Sequence, residues 1–122
     1  MAIDQPSLEG YVAFTLEAAE AFVAARDGAT LTAKLFGPPQ HYIPFTYSKE
    51  NAIKKLKDSG GIPLVEGREL YILHIWLPAR KMIEDFMAWR IAAARGGFRL
   101  YRDLELGKDN AYEWIAAEFV TT

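Results

Sequence analysis

The chain predicts an α+β fold: a ferredoxin-like split βαβ sandwich, with helices on an antiparallel sheet of about five strands. Three observations predict it. Between residues 42 and 106 the patterns run strand, helix, strand, strand, helix, strand. Helical stripes precede and follow that unit, as extra N-terminal and C-terminal helices. Glycine pairs at Gly60-Gly61 and Gly96-Gly97 punctuate it. At 122 residues and 51% hydrophobic, the chain fits one domain, 1–122, with a core of its own.

The first stripe is Leu8, Tyr11, Val12, Thr15, Leu16, Ala19, Phe22, Val23 and Arg26, with Ser7 as N-cap and Gly28 as stop. A competing reading makes 11–15 a strand and starts the helix at Leu16 under a Thr15 cap. Gly10, which costs about 1 kcal/mol against Ala inside a helix, favours that rival. Residues 30–36 alternate, with Leu31, Ala33 and Leu35 opposite Thr32 and Lys34, as a half-buried strand does. Residues 42–47 place Ile43, Phe45 and Tyr47 on one face and should form a hairpin with 30–36. Pro44 cannot donate to a ladder, which predicts an edge strand or a bulge.

Ser48 caps a helix over 49–58, with Ile53 and Leu56 inward and Lys54, Lys55 and Lys57 outward. A short strand over 62–65 turns at Glu66-Gly67 into 69–77, whose apolar character on both faces predicts a central position. Pro78 suits the first position of a helix that runs to Arg95 and stops at Gly96-Gly97. Residues 98–106 alternate as an amphipathic strand, except that Arg102 falls on the leucine side. Asn110 and Glu113 have capping-box spacing, opening a C-terminal helix with Tyr112, Ile115 and Phe119 on one side.

Charge is unevenly spread around a net −2. Residues 79–102 hold Arg80, Lys81, Arg90, Arg95, Arg99 and Arg102 against only Glu84 and Asp85, while both ends are acidic. The acidic balance argues against a general nucleic-acid binder. Absence of cysteine fits a reducing compartment, the start lacks a basic, apolar leader, and the longest apolar run, 70–79, is interrupted by His74. These features predict a soluble, cytoplasmic protein.

No catalytic, metal or cofactor motif is present. His41 follows Pro38-Pro39-Gln40 in a loop, and His74 shares a strand face with Ile72 and Trp76, without ligand spacing between them. Glu84-Asp85 diverge on a helix, and Glu17 and Glu20 share a solvent face, so neither pair forms an acid–base system. The glycine pairs follow helices, where they terminate them, whereas a phosphate cradle precedes one.

Two surfaces remain as candidates. Met82, Phe86 and Trp89 form a second apolar stripe on the 78–95 helix, flanked by Arg80, Lys81 and Arg90. Either the chain covers that stripe or another protein binds there. The open sheet face displays Tyr47, His74, Trp76 and Arg102 and could line a pocket against the N-terminal helix, with Arg102 holding an anion. The favoured expectation is a non-catalytic interaction or regulatory protein, an inhibitor or adaptor, acting on a protein partner. A small-molecule binder or small enzyme at the His74–Arg102 face is the alternative. Single-stranded nucleic-acid binding by sheet aromatics is a further one.

Overall fold

The computed structural model describes residues 7–15, 20, 24–25, 28–33, 41–59, 69–78, 89–108 and 111–119. In chain order they form β1 (Ser7–Thr15), β2 (Thr30–Leu31), β3 (Ile43–Thr46), α1 (Lys49–Ser59), β4 (Glu69–Pro78), β5 (Ile91–Ala94), β6 (Gly97–Leu100), β7 (Leu104–Glu105) and β8 (Ala111–Phe119). Six strands make one antiparallel sheet in the order β5-β6-β3-β1-β4-β8, and β2 pairs with β7 in a second, two-stranded one. This is a mostly-β architecture with a single helix among the described elements. It replaces the α+β ferredoxin-like sandwich with terminal helices that the sequence predicts.

Both terminal segments fail for the same reason. In β1, Val12 and Phe14 enter the larger core, while Tyr11 and Ala13 face the helix. A strand apolar on both faces hides its two-residue period and can mimic a helical stripe. The rival reading of 11–15 as strand is the correct one, and the strand begins earlier, at Ser7. In β8, Tyr112 and Trp114 pack on one core while Ile115 and Ala117 pack on the other. The capping-box spacing of Asn110 and Glu113 is overridden by a ladder to β4 running from Trp76↔Ala111 to Glu69↔Phe119.

The expected helix over 78–95 is also corrected at both ends. Pro78 closes β4, and the alanine-rich 91–94 is an edge strand paired with β6. Arg90 takes a left-handed φ of 50°, turning the chain from helical Trp89 into β5, and its carbonyl accepts the Tyr101 N–H at 2.9 Å. Gly96, with φ 71°, makes the β5–β6 turn instead of ending a helix. The single strand expected over 98–106 is broken into β6 and β7, and Arg102 lies in the break. Its misplacement in the alternation marked that interruption.

β4 holds the interior position its composition requires, between β1 and β8. Ser48 caps α1 as expected: its Oγ accepts the Asn51 N–H at 3.1 Å. The expected hairpin between 30–36 and 42–47 is not found: among the described residues of the first segment Thr30–Leu31 is strand and pairs with β7, while β3 lies between β6 and β1. The expected strand over 62–65 lies outside the described residues.

Pro44 is in an interior strand, contrary to the edge expectation, and the register explains how. Tyr47 N–H donates to Gly96 O at 3.0 Å, so odd-numbered residues of β3 direct their backbone groups to β6. Pro44 therefore turns its missing donor toward β1, where the ladder consists of one registered pair, Tyr11↔Thr46. Thr46 reinforces that thin seam through its hydroxyl, which donates toward Tyr11 O at 3.3 Å and Ser48 O at 2.8 Å.

Two cores result. On one sheet face Phe14, Ile43, Phe45, Leu73, Ile75, Leu77, Phe98 and Leu100 pack with Leu31 and Leu104 of the small sheet, and with Trp89. On the other face α1 lays Ala52 and Leu56 on Ala13, Leu70 and Ile72. Burial of Leu56 alone stabilises this helix docking by about 1.5–3 kcal/mol. α1 does not cover the whole face, and the residues toward the Trp76 end form the site described next.

Candidate functional site

Strand register builds a row of side chains across four strands of the helix-bearing face: Thr46, Tyr11, His74 and Glu113. Tyr11 and His74 stack flat, with ring centroids 4.2 Å apart and planes 5° from parallel. Trp76, two residues along β4 on the same face, tilts against His74 at 4.1 Å and 47°. From the far side His74 Nδ1 lies 3.3 Å from Glu113 Oε1.

That contact fixes the ring chemically. A carboxylate only accepts, so Nδ1 carries the proton and Nε2 of the neutral imidazole is a bare acceptor. His74 is 8% exposed, and its Nε2 is buried with no hydrogen-bond partner. A buried polar atom left unpaired costs about 1–3 kcal/mol. The Glu113 carboxylate is itself largely in solvent, which screens the pair.

The structure separates the residues that the sequence grouped. His74 and Trp76 come together on the helix-bearing face. Tyr47 is 55% exposed just beyond β3, its ring tilted on Phe98 at 5.9 Å. Arg102 joins a different neighbourhood: its guanidinium lies 4.9 Å from the Trp89 ring centroid, and its Nε donates to Asp103 O at 3.2 Å. There it lines a surface cavity of about 370 Å³ with Thr30, Asp103, Glu105 and Lys108, in which Lys108 pairs with Glu105 at 3.1 Å.

Trp89 is 3% exposed and belongs to the larger core, roofed by Arg102. Arg90 beside it is exposed. Arg80, Lys81, Met82 and Phe86 lie outside the described residues, as do Glu17, Glu84 and Asp85. His41 is exposed. Among the described residues no group of three or more acidic or histidine side chains is placed to hold a metal, and no helix is long and apolar enough to cross a membrane.

Two members of the His74 cluster were not selected from the sequence. Tyr11 falls in a helical stripe with a rival strand reading over 11–15, and Glu113 in a helix cap, so the sequence places neither beside His74. The alternation of Tyr112 to Ala117 was the available signal. A second polar cluster was missed as well. Arg99 of β6 faces the α1 side, its Cζ 4.5 Å from the Tyr42 ring centroid, and Tyr42 in turn tilts on Tyr101 at 5.4 Å. Comparison with protein-family models, with curated proteins and with solved structures finds no match in any of the three.

Proposed function

We propose that this chain is a small cytoplasmic binding protein whose ligand is held on the helix-bearing sheet face at His74. One observation carries the reading: an imidazole clamped by Tyr11 and Glu113 keeps Nε2 buried and unpaired. A ligand hydroxyl or N–H donating to Nε2 would satisfy it, and Trp76 offers an aromatic surface alongside. The histidine–carboxylate pair is also half of a general-base arrangement. The reading stays with binding because among the described residues no nucleophilic side chain is hydrogen-bonded to Nε2. Calorimetric titration with phenol and with toluene tests it. Phenol should bind saturably and toluene far more weakly, with the difference abolished in His74→Phe. Equal behaviour of the two probes contradicts it.

A second reading keeps the protein partner. β8 is nine residues long, sits at the sheet edge and is rich in aromatic and alanine residues, so its outer backbone groups can accept an extended partner strand. Strand addition there is independent of Trp89.

A further inference from the structure

We infer that the small sheet carries a second site, a trough for a neutral polyhydroxyl ligand of the carbohydrate class. The cavity of about 370 Å³ that Arg102 lines continues into another of about 420 Å³, because Thr30, Glu105 and Lys108 line both. Each lies in the size range of small-molecule sites. The small sheet packs through Leu31 and Leu104 on the larger core, whereas His74 is on the helix-bearing face, so the two sites are distinct.

Local structure positions every wall of the trough. β2 and β7 pair Leu31 with Leu104 and Thr30 with Glu105. The leucines turn into the core, so Thr30 and Glu105 stand on the outer side, where both are exposed. Leu106 N–H donates to Ala29 O at 2.9 Å and Gly28 N–H to Leu106 O at 3.1 Å, which fixes the two backbones against each other. At one end Arg102 is laid on the buried Trp89 ring at 4.9 Å and tied to Asp103 O. At the other end Gly107, with φ 84°, turns the chain and Lys108 folds back on Glu105 at 3.1 Å.

The chemistry of the walls selects the ligand. Two cations, Arg102 and Lys108, face two carboxylates, Asp103 and Glu105, across one cavity. A ligand with net charge is therefore attracted by one pair and repelled by the other, and gains little. Trp89 and Leu104 also line the cavity, but they are 3% and 2% exposed, so an apolar ligand finds almost no surface to cover. Carboxylates only accept, arginine and lysine only donate, and the Thr30 hydroxyl does both. The ligand group that answers all of them is another hydroxyl. A row of hydroxyls can donate to Asp103 and Glu105 while accepting from Arg102 and Lys108, and hydrogen bonds to ionised partners are the stronger kind.

The test is a two-dimensional NMR titration of the whole chain with glucose, galactose and maltose, and with glucuronate and glucosamine as the anionic and cationic counterparts. At least one neutral sugar should give saturable shifts at the amides of Thr30, Glu105 and Lys108, and should bind several-fold more tightly than either charged one. Glu105→Gln and Asp103→Asn change exposed side chains that the fold tolerates. Each should weaken that neutral sugar about tenfold. Each also leaves the lining net positive, so glucuronate should gain where the neutral sugar loses. The proposal is overturned if no neutral sugar saturates, if a charged sugar binds the wild type more tightly, or if both variants leave the order of affinities unaltered. Because neither variant touches His74, phenol binding in the same proteins reports separately on the first site.

Discussion

Tyr11 and His74 meet face to face across the β1–β4 ladder, planes 5° from parallel and centroids 4.2 Å apart. Both rings lie near the centre of the molecule's hydrogen-bonded framework. Removing a polar group here has consequences that can be separated into fold and binding. Glu113→Ala deprives Nδ1 of its partner and leaves an imidazole with neither nitrogen paired. It should lower stability by about 1–2 kcal/mol in urea unfolding. His74→Phe keeps the stack, removes the unmet Nε2 together with the Nδ1 that Glu113 pairs, and should be neutral or slightly stabilising, while losing phenol binding. A large destabilisation by His74→Phe would mean that Nε2 has a structural partner.

The close approach of β1 to β6 aromatics makes a second prediction. A Cβ on Gly10 would meet Phe98 Cζ at 2.8 Å and Phe45 Cβ at 2.9 Å. Gly10→Ala should therefore cost about 1–3 kcal/mol, and Phe98→Leu in the same chain should recover part of the loss. At Gly97 the obstacle is the Phe45 carbonyl and the Thr46 backbone, which cannot rotate away. Gly97→Ala should be the worse of the two in thermal melts.

Trp89 and Arg102 distinguish an internal anchor from a partner-facing one. Trp89 is buried in the core, so Trp89→Ala should cost about 3–5 kcal/mol and expose the core to dye binding. Arg102→Ala removes the guanidinium roof and the bond to Asp103 O but leaves the core filled, and should cost less than Trp89→Ala, about 1 kcal/mol. If Trp89→Ala folds as stably as the wild type, the packing described for 89–106 is wrong.

Lys55 gives the pH dependence its sign. Its folded-state value is lowered from 10.5, by desolvation first and by Arg99 second. In the window between that lowered value and 10.5 the unfolded chain binds more protons than the folded one. The Lys55 contribution to stability therefore rises with pH across that window, and below it the full penalty of the charged amine is present. Lys55→Gln should remove this rise from a series of urea midpoints taken toward pH 10.5. An unchanged slope in the variant would show that Lys55 is not the group responsible.

Some of the molecule was legible in the chain because local chemistry decided it. Ser48 and the lysine-faced stripe define α1, and β4 declares its interior place through apolar residues on both faces. The errors share a physical cause. β1 and β8 bury side chains on both faces, so their periodicity is masked, and the three alanines that follow Ile91 in 91–94 have little propensity for a strand. Only long-range pairing makes them strands. The site suffered from the same blindness: His74 and Trp76 were recognisable on one strand, whereas Tyr11 and Glu113 reach them from segments read as helices. Arg102 was grouped with His74 on alternation alone, and the break at 101–103 sends it to Trp89.

The most direct measurement of the central claim is the tautomeric state of His74, read from long-range proton–nitrogen NMR correlations. The account predicts a protonated Nδ1 coupled to Glu113 and a bare Nε2, with Nε2 alone shifting when phenol is added. A proton on Nε2 with Nδ1 bare, unchanged in Glu113→Gln, would contradict it.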